Sequence, residues 1–338
     1  MKEIVKRAKS EGVDAVIAAD ISTISYANQV GLEVHISTQL SISNIDGVRF
    51  YSKFSDRMVL ARELTLEQVA EICDQIKSEN IRGPKGVLIE IEVFAHGALC
   101  VAVSGRCSMS LYCYNTSANK GRCTQICRRR YKVTDIDTGK ELEVDNNYIM
   151  SSSDLCTIGM LDKLVASGVS VLKFEGRGRS PEYVDIVIRS YKDALKAIEE
   201  GSYTNEKIIQ WNKDLKTVFN RGQSEGFYMG RKMGEWAGVH GSKATKEKYS
   251  IGVVQKYYPK VQVVEVKVLA KDEVRKGDDF IIIGGVTGTV RGKLNEFWVD
   301  DKPADVMKQG DVVTFKVETP VRDKDQFYVW RDRVSDIP

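Results

Sequence analysis

Short β-branched runs alternate with helix-like stretches through the first hundred residues, and this alternation limits the possible folds more than any other feature. The runs cover residues 14–19, 33–37, 57–61 and 86–92. Before the last run, residues 65–78 have apolar side chains at helical spacing, and Thr65 and Gln68 mark the start of that helix. Strand–helix units that repeat in this way predict a parallel sheet covered by helices.

Polar residues follow almost every one of these runs, which favours a TIM-type (β/α) barrel over an open sheet. No G-x-G-x-x-G motif follows any run, and a fifth run, 170–174, also ends in polar residues. In a TIM-type barrel such ends converge on one face and build the active site. A closed barrel of this type needs about eight strands. We therefore predict a barrel that lacks about three N-terminal βα units, or one that a partner chain or second copy completes. The polar residues at the ends are Asp20, Ser37, Thr38, Gln39, Arg62, Glu63, Glu92, His96, Glu175 and Arg177.

The periodicity changes twice further along the chain and predicts two domains. Residues 1–245 form the partial barrel, with a cysteine-rich insertion at about 100–168 and a helical extension. Residues 246–338 contain seven short alternating runs separated by Gly and Asp turns, which predict a small antiparallel β-barrel. The finer expectations are a hairpin at 131–144, a short run at 148–150, a helix at 154–167 capped by Ser153, a helix at 181–200 and a polar linker at 221–246.

Four cysteines with the spacing C-x6-C-x15-C-x3-C form a candidate soft-metal site. They are Cys100, Cys107, Cys123 and Cys127. Four thiolates hold either a tetrahedral zinc ion or an iron–sulfur cluster. Zinc ribbons use close C-x2-C pairs, so these spacings favour a cluster over zinc, and unligated thiols are a third reading. Because Cys113 is a fifth candidate, the spacing alone does not fix the ligand set.

Composition limits the compartment and the partners. The N-terminus has no apolar signal-peptide region, and no apolar run is long enough to span a bilayer. We expect a soluble cytoplasmic protein without a membrane partner, in which seven cysteines are not a disulfide framework. The net charge is only +3, so any affinity for nucleic acid must come from local patches.

A basic run beside the cysteines is a candidate phosphate-binding surface, although such a run is also typical of a solvated face. Its members are Lys120, Arg122, Arg128, Arg129, Arg130 and Lys132, with Lys173, Arg177 and Arg179 as further candidates across the barrel mouth. His96 precedes Cys100 by four residues and could serve it as a base, or could simply orient the loop. Glu92 and Glu175 at strand ends could bind substrate, act as acid or base, or form structural ion pairs.

The segment EVFAHGALCVAVSGRCSMS, residues 92–110, resembles the signature of the peptidase U-32 family, the collagenase-like peptidases. The segments VHISTQ, VLARELTLEQ, GRCTQICRRRY, YIMSSSDL and VLKFEGRGRSPEYV are similar to family segments in the same order. The resemblance is greatest to the branch of tRNA hydroxylation proteins. Family members usually begin with further strands that this sequence lacks, in agreement with the strand count.

The resemblance implies a prephenate-linked hydroxylation of the tRNA wobble uridine to 5-hydroxyuridine. It also implies a 4Fe–4S cluster on the four cysteines named above, with Cys113 outside the set; zinc is the alternative. The rival readings are a collagenase-like peptidase of unassigned mechanism and an inactive, truncated RNA-binding remnant. The candidate catalytic residues are His96, Glu92 and Glu175. The candidate substrate- or RNA-binding residues are His35, Gln39, Arg62, Arg128, Arg129, Arg130, Lys173, Arg177 and Arg179.

Overall fold

The chain divides into two structural units whose segments interleave along the sequence. The first contains residues 1–175, 193–208 and 220–243, and the second contains residues 176–192, 209–219 and 244–338. The computed structural model describes residues 1–103, 106–141, 150–230, 236–238 and 241–333. The domain boundary at residues 245–246 stays a prediction.

One long strand organises the sheet of the first unit. This strand, β4, pairs in parallel with β3 through its first residues and with β6 through its middle, and it pairs antiparallel with β5 through its last residues. All five strands predicted from the sequence are present, although the fourth, predicted at 86–92, spans Glu90–Ala98 instead. The strands are β1 (Ala15–Ala18), β2 (Glu33–Ile36), β3 (Arg57–Val59), β4 (Glu90–Ala98), β5 (Asp154–Cys156), β6 (Val171–Phe174) and β7 (Gln223–Ser224).

The strand order of this sheet is open within the described part of the chain. It runs β1-β2-β3-β4-β5-β7, with β6 beside β4, and β1 does not pair with β7. The structure therefore does not confirm the TIM-type barrel, while it does show a mixed α/β unit with a parallel core. The reversed direction of β5 interrupts the repeat of parallel strands that a barrel of this type requires.

The helices follow the apolar patterns of the sequence. In α4 the side chains of Val69, Ile72 and Ile76 are buried, and Thr65 and Gln68 form a reciprocal capping box, so this helix is confirmed. The predicted helix at 181–200 is α7. The helices are α1 (Lys2–Ser10), α2 (Ile21–Gln29), α3 (Ile45–Tyr51), α4 (Leu66–Ser78), α5 (Met109–Tyr114), α6 (Leu161–Ala166), α7 (Pro181–Glu199) and α8 (Asn205–Lys216). Among the described residues no helix is both long and apolar enough to cross a membrane.

The helix predicted at 154–167 was wrong in its first half. Residues 154–156 form β5, and only Leu161–Ala166 are helical. Asp154 is buried and its backbone pairs with β4 and β7, so tertiary pairing overrides the local cap signal of Ser153. In the predicted hairpin, Thr134 and Glu141 form a bridge, while 142–149, including most of the run at 148–150, lie outside the described residues.

The second unit contains the antiparallel strands that the sequence predicts after residue 246. Eight of them form one sheet in the order β12-β11-β17-β8-β9-β16-β13-β14, and β10 pairs with β15. The rings of Phe280, Phe315 and Phe327 pack against one another in its core. A closed barrel is not shown. The strands are β8 (Lys246–Tyr258), β9 (Val263–Val268), β10 (Val274–Arg275), β11 (Asp279–Gly284), β12 (Gly288–Lys293), β13 (Phe297–Val299), β14 (Lys302–Ala304), β15 (Val306–Met307), β16 (Val312–Lys316) and β17 (Gln326–Asp332).

Candidate functional site

Two cations flank the buried ring of Phe94 in the middle of β4. The Arg62 guanidinium carbon lies 3.7 Å from the ring centre, and the Lys173 ammonium lies 5.6 Å from it. Lys173 also forms an ion pair with the buried carboxylate of Glu92, with Nζ and Oε1 2.7 Å apart. The structure thus brings Glu92, Lys173 and Arg62 together around one aromatic ring, as cation–π and charge pairing favour.

The Arg62 guanidinium lies at the start of the cysteine-rich segment. Its Nη1 donates a hydrogen bond to the carbonyl oxygen of Ala98, 3.1 Å away. Burial lowers the pKa of Arg62, and the neighbouring groups Cys100 and Glu175 oppose that shift. Its buried Nε has no hydrogen-bond partner among the described residues. The guanidinium therefore places a buried positive charge within electrostatic reach of Cys100.

Four thiols gather beyond the end of β4. Burial raises the pKa of the Cys127 thiol, and the charges of Cys100, Cys123 and Cys107 raise it further, while Arg128 lowers it. Those three thiols therefore lie within electrostatic reach of Cys127. Cys113 is exposed on α5, but Cys123 is exposed as well, so exposure does not separate the two thiols. The exclusion of Cys113 rests on the resemblance, and the ligand set stays a prediction.

The distances between the thiol sulfurs determine which inorganic group they could hold. Within the described part of the chain, no three His, Cys, Asp or Glu side chains converge closely enough to hold a metal ion. Thiolate sulfurs around one tetrahedral zinc lie only about 3.8 Å apart, as follows from zinc–sulfur bonds of about 2.3 Å. Ligands of an iron–sulfur cluster surround a larger body, and the choice between a cluster and zinc stays a prediction.

Arg128 fixes the loop that carries these thiols. Its guanidinium donates hydrogen bonds to the carbonyl oxygens of Leu99 and Ser152 and to the hydroxyl of Ser151. Ser152 Oγ also donates to the Leu99 carbonyl, at 2.9 Å. Leu99 directly precedes Cys100, and Arg128 directly follows Cys127. The hydrogen bond from Arg128 to the Leu99 carbonyl therefore joins the two ends of the cysteine-rich segment. Burial lowers the pKa of Arg128, with Arg221 adding to that effect.

A buried ion pair supports the same loop from the sheet. Arg221 Nη1 and Asp154 Oδ1 are 3.1 Å apart, and both side chains are less than a tenth exposed. The backbone N–H of Arg221 donates to the other carboxylate oxygen, and Arg221 Nη2 donates to Gln125 Oε1. Gln125 begins the short 3₁₀ turn Ile126–Arg128, which contains Cys127. The pair therefore links β5 to a candidate ligand.

Comparison with known proteins assigns the chain to a family. The family model described as "Peptidase family U32" matches residues 1–238. The chain belongs to peptidase family U32. It is 45% identical over 97% of its length to a Porphyromonas gingivalis protein named collagenase, of which it covers 79%. It is 30% identical over 89% of its length to the Bacillus subtilis tRNA hydroxylation protein P1, of which it covers 70%. It is 32% identical over 65% of its length to the Escherichia coli 23S rRNA 5-hydroxycytidine C2501 synthase, of which it covers 33%.

In this U32 protein two of the predicted catalytic residues, His96 and Glu175, lie near the end of β4, whereas Glu92 lies near its start. His96 is buried between Cys156 of β5 and Phe174 of β6. The backbone N–H of Glu175 donates to the His96 carbonyl at 2.9 Å. Gly97 has φ +118°, and a Cβ there would lie 2.7 Å from the Glu175 side chain, so only glycine allows this close approach. The catalytic roles stay predictions.

The predicted binding residues are not all brought to this end of the sheet. Gln39 lies in the 3₁₀ turn Thr38–Leu40 that follows β2. His35 Nε2 instead lies 3.3 Å from Glu33 Oε1, at the start of β2. The RNA-binding roles predicted for these two residues stay predictions.

The predicted arginines occupy different surroundings. Arg129 and Arg130 are exposed, and Arg129 lies over the Tyr114 ring at 5.2 Å. Arg177 and Arg179 belong to the second unit, where Arg179 stacks at 3.9 Å on Phe219. Contact of these four residues with RNA stays a prediction.

Sequence reasoning missed three buried residues that shape this U32 site. They are Asp154, Arg221 and Tyr228. The Tyr228 hydroxyl donates to the Phe94 carbonyl at 2.7 Å, and burial raises its pKa. The sequence signals were weak: Asp154 follows a run of serines and resembles the start of a helix, while Arg221 and Tyr228 lie in a polar stretch without periodicity.

Proposed function

We propose that this U32 protein hydroxylates RNA, converting the wobble uridine of tRNA to 5-hydroxyuridine. Two relatives support this chemistry by name, one a tRNA hydroxylation protein and one a 5-hydroxycytidine synthase of 23S rRNA. The observation that carries the proposal is the electrostatic grouping of Cys127 with Cys100, Cys107 and Cys123. One relative's name specifies hydroxylation of tRNA and the other's specifies 5-hydroxycytidine in 23S rRNA. Prephenate is the co-substrate that the family resemblance suggests.

The four grouped cysteines are the proposed ligands of a 4Fe–4S cluster. Such a cluster supplies one-electron redox chemistry when it is bound. Arg128 fixes the carbonyl of Leu99 and so orients Cys100. Arg62 keeps a positive charge near Cys100 that favours negative charge at this end of β4.

The acid–base groups of the proposed site differ in how they are held. Lys173 holds the Glu92 carboxylate in an ion pair, so Glu92 orients Lys173 rather than transferring protons freely. His96, near the end of β4, and Glu175, directly after β6, are the proposed proton-handling groups of the site.

A matched pair of cysteine variants tests the proposal. The gene is deleted in the source strain, and the strain is complemented with wild type, Cys123→Ser or Cys113→Ser. Both cysteines are exposed, but only Cys123 belongs to the grouped thiols. Mass spectrometry of tRNA nucleosides should show 5-hydroxyuridine derivatives restored by wild type and Cys113→Ser and absent with Cys123→Ser. Undiminished derivatives in a deletion strain without a paralogue would contradict the proposal.

Peptidase activity is the second candidate function, and the 45% identity to a protein named collagenase favours it. It would use Cys100 as nucleophile and His96 as base. Purified protein that digests gelatin, and loses this activity as Cys100→Ala but not as Cys113→Ser, would establish it. An inactive RNA-binding remnant would instead bind tRNA, digest no gelatin and leave the nucleosides unchanged.

A further inference from the structure

Basic and aromatic side chains share one face of four neighbouring strands in the second unit. On β12, Arg291 lies opposite Ile281 of β11, which in turn lies opposite Tyr328 of β17. Trp330 is two residues further along β17 and lies opposite Lys248 of β8. Directly opposed residues, and residues two apart on a strand, lie on one face of a sheet. This face is opposite the one that presents Phe280 and Phe327 to the core.

A cleft of about 580 Å³ opens on this face. Its volume is in the range of binding pockets for nucleotide-sized ligands, about 300–1,000 Å³. The side chains that determine its chemistry are Arg189 of α7, Asp279, Thr289, Arg291, Lys293 and Trp330. All of them belong to the second unit, so the cleft lies within one compact part of the chain.

The charges around the cleft leave an excess of cations. Asp185 is shared by two guanidinium groups, with Arg189 Nε at 2.6 Å and Arg291 Nη2 at 2.9 Å. Lys246 pairs with Asp279 at 2.8 Å. Lys293 is exposed and has no ion-pair partner among the described residues. The charge of Asp214 also acts on Arg291, so the four cations outnumber the three carboxylates by one, which favours a phosphate ligand.

Trp330 adds a flat aromatic surface to these cations. Lys246 Nζ lies 5.3 Å from its ring centre, and the Arg291 guanidinium carbon lies 5.8 Å from it. The ring is half-buried and lines the cleft. Cations interleaved with aromatic rings are typical of surfaces that hold the backbone of a nucleic acid while a base stacks.

We propose that this cleft binds the sugar–phosphate backbone of the RNA substrate, with Lys293 and Arg189 contacting phosphates and Trp330 stacking on a base. The inference rests on the proposed function for the identity of the ligand. It adds a binding site in the second unit to the reaction site of the first. An acidic protein would match the charge of the cleft but would make no use of the ring.

A charge-reversal pair tests the cleft in the full-length protein. The probe is a fluorescein-labelled tRNA transcript, and binding is measured by anisotropy between 50 and 200 mM salt. Lys293→Glu places a negative charge in the cleft. Lys302→Glu is the matched control, because Lys302 is also exposed and lies on β14, at the other end of the strand order. Thermal unfolding of both variants checks that the fold is intact.

The expected results separate this site from general electrostatic attraction. Lys293→Glu should weaken tRNA binding about 5-fold or more and reduce the slope of log affinity against log salt by about 1, as the loss of one phosphate contact does. Lys302→Glu should bind as wild type does. Ultraviolet cross-linking to the transcript should label the peptide that contains Trp330.

Three outcomes would overturn the inference. They are an unchanged affinity and slope for Lys293→Glu, an equal effect of both variants, and an absence of tRNA binding by wild type. The proposed function fails on a different measurement, the nucleoside content of the deletion strain. If the nucleoside analysis supports tRNA hydroxylation but Lys293→Glu binds tRNA as wild type does, only the cleft proposal is rejected and the proposed function stands.

Discussion

The guanidinium of Arg62 lies 3.7 Å from the centre of the Phe94 ring, and its Nη1 reaches the carbonyl of Ala98. The stack fixes a buried positive charge at the point where β4 ends and the cysteine-rich segment begins. Cys100 is the first of the groups whose charge favours the ionised form of Arg62. The charge and the thiols are therefore coupled, which has a measurable consequence for a cluster held there.

Arg62→Gln should lower the midpoint potential of the reconstituted cluster. Removal of a nearby positive charge makes the added electron less favourable by about 1 kcal/mol, which is about 40 mV for a one-electron couple. The measurement is a redox titration followed by EPR. Arg129→Gln is the control, because Arg129 is exposed beside Tyr114 and its loss should shift the potential by less than about 10 mV. Equal shifts would show that Arg62 has no special coupling to the thiols.

Asp154→Asn should destabilise the first unit by about 3 kcal/mol. The substitution leaves the buried Arg221 guanidinium without its counter-charge, and broken buried pairs cost about 3–5 kcal/mol. Urea denaturation measures the change in the free energy of unfolding. Glu200→Gln removes an exposed pair with Lys196 and should cost at most about 0.5 kcal/mol. A cost for Asp154→Asn no larger than that of the control would contradict the role of the pair.

Cys73 should make the stability of the protein fall in alkaline solution. Burial in α4 raises the pKa of Cys73 from 9.0 to about 11. Below pH 9 the thiol is protonated in both the folded and the unfolded chain, and its full contribution to the free energy of unfolding is present. Between pH 9 and about 11 the unfolded chain loses the proton first, so the free energy of unfolding falls by about 2–3 kcal/mol.

The Cys73→Ala variant isolates that effect. Its free energy of unfolding is measured in urea with a reductant at pH 8, 9, 10 and 11. This free energy depends on every titrating group of the protein except Cys73. The difference between wild type and variant should therefore shrink as the pH rises above 9. A difference that stays constant from pH 8 to 11 would show that the thiol is no harder to ionise in the fold.

The sequence predicted the parts of this fold that depend on local patterns. The five strands of the first sheet were confirmed because each is a short β-branched run, and α4 was confirmed because its apolar spacing and its Thr65 cap agree. Closure of the barrel was not confirmed, since closure depends on long-range pairing. The helical expectation for 154–156 was wrong because Asp154 forms its ion pair with a residue 67 positions away, which no local pattern encodes.

The candidate cysteines were proposed from the sequence, whereas the side chains that support their loop were not. Cysteine spacing and family resemblance pointed to Cys100, Cys107, Cys123 and Cys127, and the structure brings these thiols into one neighbourhood. The sequence did not predict that Arg128 donates hydrogen bonds to backbone carbonyls. A basic run does not show which of its side chains contact the backbone and which contact solvent.

The central claim is that these four thiols hold an iron–sulfur cluster, and metal analysis of anaerobically purified protein tests it most directly. Iron, sulfide and zinc are measured for wild type, Cys123→Ser and Cys113→Ser, together with ultraviolet–visible and EPR spectra. We expect about four irons and four sulfides per chain in wild type and Cys113→Ser, and a loss of most of both in Cys123→Ser. Stoichiometric zinc without sulfide, or equal iron in all three proteins, would contradict it.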